Sequence, residues 1–219
     1  MKNKIILDGL DNLFPNPKCE LEYNKDYELL LATMLSAQTT DKRVNMVTRV
    51  LFNKYDTLEK LNNLSVSEIE NEIKTIGMYK QKAKYFKSIV SEIIEMGGYV
   101  PNDRDRLLKL DGVGRKTINV VLSNLYDDPC IAVDTHVERT SKRLGLAELD
   151  DDVLTVEKKL MKEFPKDKWS RLHHQLVLFG RYKCKAKNPE CTDCPFKEFC
   201  KVNHQYLLNN NKRFDKIKM

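Results

Sequence analysis

The sequence predicts an all-α protein, because apolar residues recur with the period of amphipathic helices and strand-like alternation of useful length is absent. Residues 27–38 are apolar almost all round, which is typical of a fully buried helix. Residues 65–77 begin with the capping-box pattern Ser65-x-x-Glu68. Residues 82–98 carry apolar side chains at helical spacing and end in two glycines. We expect nine or ten helices in all.

The predicted helices have recognisable faces and ends. The helix at 65–77 directs Ile69, Ile73 and Ile76 inward and is expected to stop at Gly77. The other predicted helices are the one at 82–98, one with the stripe Ile118, Val121, Leu122 and Leu125, and amphipathic ones at 153–164 and 170–180.

The composition is that of a globular protein: 219 residues, of which 41% are hydrophobic and 32% charged. No run of 18 apolar residues occurs, and the N-terminus lacks the features of a signal peptide. We therefore expect a cytoplasmic protein without a membrane partner, nucleoid-associated if bacterial, and a monomer. The net charge of +6 suits a polyanionic partner, although many ordinary enzymes are equally basic. The basic segment 209–219 is expected to be a mobile, solvated end.

A turn with two glycines, Gly112 and Gly114, leads directly into a helix. Both glycines can take positive φ and let the backbone approach another molecule closely. The first N–H groups of the following helix have no partner within the helix, so they can bind an anion such as a phosphate. Leu110 and Val113 are expected to pack the turn against neighbouring helices. A plain connector is the alternative interpretation.

Lys116 lies on the first turn of that helix, off its apolar stripe. The positive potential of a helix N-terminus disfavours the ammonium form, and partial burial beside a ligand pocket acts in the same direction. A neutral amine is a nucleophile that can form a Schiff base, which an arginine cannot do. An ordinary solvated lysine is the alternative.

Asp134 follows Lys116 after 18 residues. In one interpretation Thr135-x-x-Glu138 is a capping box, so Thr135 caps the next helix and Asp134 can accept a proton or stabilise positive charge. In the other, Asp134 is itself the cap and serves the structure. The spacing does not decide between them.

Four of the six cysteines, Cys184, Cys191, Cys194 and Cys200, fall within 17 residues with the spacing C-x6-C-x2-C-x5-C. Four thiolates can hold zinc or an iron–sulfur cluster. Structural zinc usually takes two short cysteine pairs far apart, and only one such pair is present, which favours iron–sulfur. Lys183, Lys185, Lys187 and Lys197 lie among the cysteines and give this loop a basic surface.

Taken together, these motifs resemble the endonuclease III family of DNA repair glycosylases. The resemblance covers about residues 20–204 and rests on the following stretches: "LDGVGRKTINVVL" as a helix–hairpin–helix, "IAVDTHVERTSKRLGL", the cysteine loop, "MLSAQTTDKRVN", "TIGMYKQKAK" and "HHQLVLFGRYKC". It implies a two-lobed helix–hairpin–helix glycosylase fold. Residues 18–128 would form a six-helix barrel, and residues 1–17 with 129–219 a helical lobe carrying a [4Fe–4S] cluster, with damaged double-stranded DNA bound in the cleft between them.

The resemblance also implies the chemistry of a bifunctional glycosylase and AP lyase that removes oxidised pyrimidines. Lys116 would attack C1′ of the damaged nucleotide, expel the base and form an imine, and β-elimination would cut the strand 3′ to the lesion. Asp134 would assist the departure of the base and activate the amine. The four cysteines would ligate the cluster.

The residues expected to contact DNA follow from the same resemblance. The target base must leave the stack; Gln38 matches the position that fills the gap, and Met78 the position that wedges into the opposite strand. Each has a structural alternative, a helix end for Gln38 and core filling for Met78. The other expected contacts are Leu110, Gly112, Val113, Gly114, Arg115, His136, Arg139 and Lys187. A solvated helix face is the alternative for Arg139.

Two departures from the family pattern and two rival functions accompany these expectations. Met78 stands where leucine is more frequent, and Asp111 where proline is usual, so we expect Asp111 to point away from DNA. His173 and His174 are expected to be packing or hydrogen-bonded histidines, and no chemistry is assigned to them. The rivals are a monofunctional mismatch glycosylase, which has no lysine nucleophile, and a non-catalytic DNA-binding module with a zinc loop.

Overall fold

The structure is a computed structural model that describes residues 2–202, and every regular element in this range is helical. The predicted mobile end at 209–219 lies outside the described residues. The α-helices are α1 (Lys2–Leu13), α2 (Asp26–Leu35), α3 (Asp41–Lys54), α4 (Leu58–Asn62), α5 (Val66–Glu72), α6 (Tyr79–Glu95), α7 (Arg104–Leu107), α8 (Arg115–Leu125), α9 (Thr135–Arg143), α10 (Val153–Glu163) and α11 (Trp169–Leu178). A short 3-10 helix (Lys166–Lys168) precedes α11, and a π-helix (Phe179–Lys183) follows it.

The fold class agrees with the all-α prediction, and the described residues contain more helices than the nine or ten expected. The additional ones include α4 and α7, which have five and four residues. Such helices are too short to show a hydrophobic period in the sequence, and their caps, Thr57 and Asp103, identify them only once the structure is known. No helix within 2–202 combines the length and apolarity needed to cross a bilayer.

The chain divides into two compact units, which we call the hairpin unit (Cys19–Asp127) and the cysteine-loop unit (Met1–Lys18 with Asp128–Met219). In the hairpin unit α2 is the central helix, and every residue from Tyr27 to Leu35 is buried. The predicted inward face of α6, including Phe86 and Ile89, packs in the same core.

The capping box at Ser65 and Glu68 is present: the Ser65 hydroxyl accepts the Glu68 N–H, and the Glu68 carboxylate accepts the Ser65 N–H at 2.8 Å. The helix ends at Glu72, however, and not at Gly77 as predicted. Ile73 and Ile76 are still buried, because the turns after the helix keep them against the core. Apolar spacing alone therefore overestimated the length of this helix.

The core of the cysteine-loop unit joins α1 to the loop that carries the cysteines. Phe196, from that loop, is fully buried and packs edge-on against Phe179, with ring centroids 5.2 Å apart. On its other side it covers Gly9 of α1, where an added Cβ would lie 2.5 Å from the phenyl ring. Glycine at position 9 is thus required for the loop to dock on α1.

Candidate active site

The turn between α7 and α8 has the geometry of a tight hairpin. Gly112 has a φ of +73°, and a Cβ there would lie 2.4 Å from the ring of Tyr85, so only glycine fits. Gly114 differs from the expectation: its φ is −104°, in the extended region. A Cβ on Gly114 would meet no protein atom within 4 Å, so the space in front of α8 is open.

Residues 110–116 separate into an inner and an outer side. Leu110 and Val113 are 2% and 6% exposed and anchor the turn in the core, so their side chains face away from any external ligand. The outer side consists of Asp111, Gly112, Gly114, Arg115 and Lys116, all exposed. The backbone of the turn and the first residues of α8 therefore form one accessible surface.

Asp111, which replaces the usual proline, is directed along the hairpin unit toward α6. Its carboxylate accepts a hydrogen bond from the Ser88 hydroxyl at 3.2 Å. This contact gives the acidic side chain a partner within the protein, next to a surface proposed to bind anions.

Lys116 is the second residue of α8, and its side chain is exposed while Thr117 and Ile118 are buried. Its ammonium group forms no hydrogen bond or ion pair with another residue of the described range 2–202. Gly114, the N-cap of α8, has no side chain, so no capping side chain covers the start of the helix. The lysine is therefore placed at the positive end of a helix and is accessible to a bound ligand.

Asp134 is the N-cap of α9, which decides between the two interpretations of "VDTHVE". Its Oδ1 accepts the backbone N–H groups of His136 and Val137, both at 2.9 Å. Glu138 does not form the expected capping box with Thr135, because its carboxylate pairs with Lys142 at 2.7 Å in a buried ion pair. Asp134 thus has a structural duty, and its half-buried carboxylate is held in a fixed orientation by two hydrogen bonds.

Gln38 and Met78 share an uncommon backbone conformation, with φ values of +55° and +59°. Left-handed backbone is unfavourable for residues with a Cβ, by about 1–2 kcal/mol. Both side chains are exposed, Met78 by 59%, so Met78 is not a core residue. Gln38 lies beyond the end of α2 in a turn, and Met78 immediately precedes α6.

His136 and Arg139, on the first turns of α9, face the π-helix. Arg139 donates to the Gly180 carbonyl at 2.8 Å, to the Cys184 carbonyl at 3.2 Å and to His136 Nδ1 at 3.2 Å. Burial lowers the pKa of His136. Arg139 therefore connects the start of α9 to the cysteine loop, and its contact with DNA stays a prediction.

Two residues absent from the predicted site complete this arrangement. A Cβ on Gly180 would lie 2.8 Å from His136 Cβ, so glycine allows α9 to approach the π-helix. Arg143 donates to the Lys185 carbonyl at 2.8 Å and to the Cys184 sulfur at 3.4 Å. Gly180 is visible in the sequence only as one glycine in a helical pattern, and Arg143 only as one of many basic residues.

The four loop cysteines are half-buried and form no disulfide. The pKa of Cys191 is raised by burial first, and then by the nearby sulfurs of Cys184, Cys200 and Cys194. Within residues 2–202 no group of three or more His, Cys, Asp or Glu side chains is placed to hold a metal ion. The four thiols lie on one loop, and Arg143 lies beside the Cys184 sulfur.

The lysines of the cysteine loop differ in their partners. Lys185 pairs with Glu190 at 2.7 Å, and Lys183 lies 3.8 Å from the same carboxylate. Lys187 and Lys197 are exposed. The pairing with Glu190 reduces the net positive charge of this surface.

His173 and His174 lie on α11 with ring centroids 4.9 Å apart. Burial lowers the pKa of His174 to about 4, so its ring is neutral at pH 7. This environment agrees with the packing role expected for them.

Residues 31–166 match the family model described as "HhH-GPD superfamily base excision DNA repair protein". Endonuclease III of Bacillus subtilis (strain 168) is 50% identical over 199 residues, which cover 90% of this chain and 91% of the relative. Endonuclease III of Escherichia coli (strain K12) is 41% identical over 201 residues, covering 91% and 95%.

Among solved structures, a trapped endonuclease III–DNA covalent intermediate superposes with a TM-score of 0.87 at 48% identity. The match covers 92% of this chain and 96% of the other. A thermostable thymine-DNA glycosylase has a TM-score of 0.77 at 23% identity, which shows a shared fold.

Proposed function

This chain belongs to the endonuclease III family within the HhH-GPD superfamily of base excision DNA repair proteins, and from this premise we propose that Lys116 is its nucleophile. As a member of that family it is a DNA glycosylase and AP lyase, and its partner is damaged double-stranded DNA. The sequence comparisons extend over about nine-tenths of both chains.

The observation that carries the proposal is the position of Lys116, exposed on the first turn of α8 behind an open, uncapped N-terminus. The amine attacks C1′ of the damaged nucleotide, the C1′–N bond breaks, and the base leaves with the bonding electrons. The C1′–O4′ bond then breaks and O4′ takes up a proton, so the sugar ring opens and a protonated imine joins the lysine nitrogen to C1′. The imine allows loss of the C2′ proton and elimination of the 3′ phosphate. The relative captured as a covalent intermediate with DNA supports a covalent mechanism.

Asp134 is proposed as the carboxylate that stabilises positive charge on the sugar and accepts a proton during activation of the amine. Its capping bonds support this role, because they fix the carboxylate before substrate arrives. Fixed groups need no reorganisation during the reaction.

The DNA-contacting residues are proposed on the basis of exposure and backbone geometry. The N–H groups at the mouth of α8 bind a phosphate, and Gly112, Gly114 and Arg115 line that site. Leu110 and Val113 contribute through the backbone turn that their buried side chains anchor. Gln38 fills the gap that the displaced base leaves in the duplex, and Met78 wedges into the opposite strand. His136, Arg139 and Lys187 contact DNA from the cysteine-loop unit.

The cofactor is proposed to be a [4Fe–4S] cluster, as in the endonuclease III family. Its proposed ligands are Cys184, Cys191, Cys194 and Cys200, and the donor set fits chemically because iron–sulfur clusters are held by four cysteine thiolates and Arg143 donates a hydrogen bond to the Cys184 sulfur. When bound, the cluster supplies four metal–thiolate bonds that hold the loop. Oxidised pyrimidines are the proposed lesions, and a cytoplasmic location, nucleoid-associated if bacterial, remains a prediction.

Borohydride trapping tests the nucleophile. The purified protein is incubated with a duplex containing an abasic site or thymine glycol, and borohydride reduces the imine to a stable amine. We expect a covalent protein–DNA adduct for the natural protein and none for Lys116→Gln, with DNA affinity largely retained. A natural protein that releases the base without an adduct is a monofunctional glycosylase, and one that only binds is a non-catalytic module.

A further inference from the structure

Lys82, on α6, is a lysine whose side chain is almost completely buried, with 4% exposure. Its Nζ donates to the carbonyls of Leu35 at 2.8 Å and Ala37 at 2.5 Å, and to the Thr39 hydroxyl at 3.3 Å. Burial lowers the pKa of Lys82. Burying an ammonium group is energetically unfavourable unless it donates hydrogen bonds. The three acceptors of the Lys82 ammonium group all belong to residues 35–39.

These acceptors surround Gln38. Leu35 is the last residue of α2, where a cation is favourable next to the carbonyl end of the helix. Ala37 and Thr39 flank Gln38 directly, and the Thr39 N–H closes the turn on the Ser36 carbonyl at 3.0 Å. The ammonium group therefore holds the turn in which Gln38 adopts its left-handed conformation.

The backbone of Lys82 holds the second left-handed residue. Its N–H donates to the Met78 carbonyl at 3.1 Å, which makes the first helical hydrogen bond of α6. The two turns also touch: a Cβ on Gly77 would lie 3.5 Å from the Gln38 carbonyl oxygen and 3.4 Å from the Thr39 hydroxyl. Lys82 thus bonds to both turns, through its side chain to the turn of Gln38 and through its backbone to Met78. Gln38 and Met78 each expose their side chain from a left-handed backbone.

We propose that Lys82 is a positioning residue that presents Gln38 and Met78 to DNA as one rigid pair. A methionine would fill the same volume without the cost of burying a charge, so packing alone does not explain an ammonium group here. The inference rests on the proposed roles of Gln38 and Met78. It places the contribution of Lys82 in the displacement of the base from the stack, and not in the chemistry at Lys116.

The test compares Lys82→Met with the control Lys87→Met under single-turnover conditions. Lys87 is also on α6, and its ammonium group bonds the carbonyl of Asn62, away from both turns. Each variant acts on thymine glycol in a paired duplex and in an unpaired bubble, where displacing the base costs little. We expect the single-turnover excision rate of Lys82→Met to fall at least tenfold in the duplex and less than threefold in the bubble. The excision rate of the control should fall less than threefold in both substrates.

Fluorescence of 2-aminopurine placed opposite the lesion gives a second readout, because insertion of the two side chains unstacks it. The increase seen with the natural protein should be reduced in Lys82→Met and retained in the control. Equal losses in duplex and bubble, or no loss in either, would overturn the proposal. If Lys82→Met does not fold, Thr39→Val removes one acceptor and should show a loss of at least twofold confined to the duplex; any other result overturns the proposal.

The trapping experiment separates this inference from the proposed function. If the natural protein forms no adduct at an abasic site, the lyase assignment fails whatever Lys82 does. If Lys82→Met forms the adduct at an unpaired abasic site as fast as the natural protein, the chemistry is intact and any loss in the duplex belongs to positioning.

Discussion

Asp134 Oδ1 accepts the backbone N–H of Val137 at 2.9 Å, so the carboxylate proposed for catalysis also begins helix α9. The two duties can be separated because asparagine caps helices as well as aspartate but carries no charge. We expect Asp134→Asn to keep its free energy of unfolding within about 0.5 kcal/mol and to lose roughly 100-fold or more in base excision. Chemical denaturation and single-turnover excision measure the two effects.

Asp134→Ala is the matched variant, because it removes both the cap and the charge. It should lose about 1 kcal/mol of stability in addition to the activity. If Asp134→Asn excises bases at the natural rate, the carboxylate is only a cap and the catalytic proposal for it is wrong.

The sequence predicted some of the features of this protein that depend on neighbouring residues. The capping box of Ser65 and Glu68 could be predicted because both partners lie within one helical turn. The same argument was ambiguous at α9, where Asp134 and Thr135 are both good caps. Glu138 decided the outcome by pairing with Lys142, an i,i+4 contact that competes with the capping box.

Contacts between distant parts of the chain could not be predicted in this way. Gly9 and Phe196 touch across almost the whole chain, and nothing in either local sequence indicates the other. Lys82 belongs to an otherwise ordinary basic helix face, and only its three acceptors near residues 35–39 distinguish it from a solvated lysine. The residues proposed to carry the chemistry could thus be named from motifs, while the contacts of Lys82 and of Phe196 required the structure.

Gln38→Gly should dissociate stability from function. Glycine relieves the left-handed strain, and its larger entropy in the unfolded chain offsets part of this gain. We expect the free energy of unfolding to stay level or rise by at most about 1 kcal/mol. The rate of base excision from a paired duplex should fall, because no side chain remains to fill the gap left by the displaced base.

Asp127→Gly is the control: its φ is +53°, also left-handed, yet no role in DNA binding is proposed for it. A Gln38→Gly variant as active as this control would remove Gln38 from the proposed interface.

DNA binding should weaken steeply with salt, because phosphate contacts release counterions. Lys187 is exposed on the cysteine loop, so Lys187→Ala should reduce the slope of log affinity against log salt by about 1. Lys60→Ala is the control, since Lys60 is paired with Asp56 at 2.7 Å and is not proposed to contact DNA. Fluorescence anisotropy with an undamaged duplex at several salt concentrations measures both slopes. Identical slopes for the two variants would exclude a phosphate contact by Lys187.

Gly9→Ala should destabilise the protein, although such a change inside a helix usually stabilises by up to about 1 kcal/mol. The new methyl group would collide with the ring of Phe196 and force the cysteine loop away from α1. We expect a loss of about 1–3 kcal/mol in the free energy of unfolding and faster loss of iron to a chelator. Asp8→Ala, an exposed neighbour on α1, should change neither quantity. A stabilised Gly9→Ala variant would contradict the docking of Phe196 on α1.

His174 should make the stability of the protein sensitive to mild acid. Its pKa is about 4 in the folded protein because burial disfavours the charged ring, against 6.5 for an exposed histidine. Below pH 6.5 the unfolded chain therefore binds a proton that the folded protein does not bind until about pH 4. The contribution of the neutral ring to the free energy of unfolding is complete above pH 6.5 and is lost as the pH falls toward 4, by at most about 3 kcal/mol.

His174→Gln cannot take up this proton, so its free energy of unfolding should fall less steeply between pH 6.5 and 4.5. Denaturant unfolding of both proteins at each pH measures the difference, and parallel curves would show that His174 is not the group responsible.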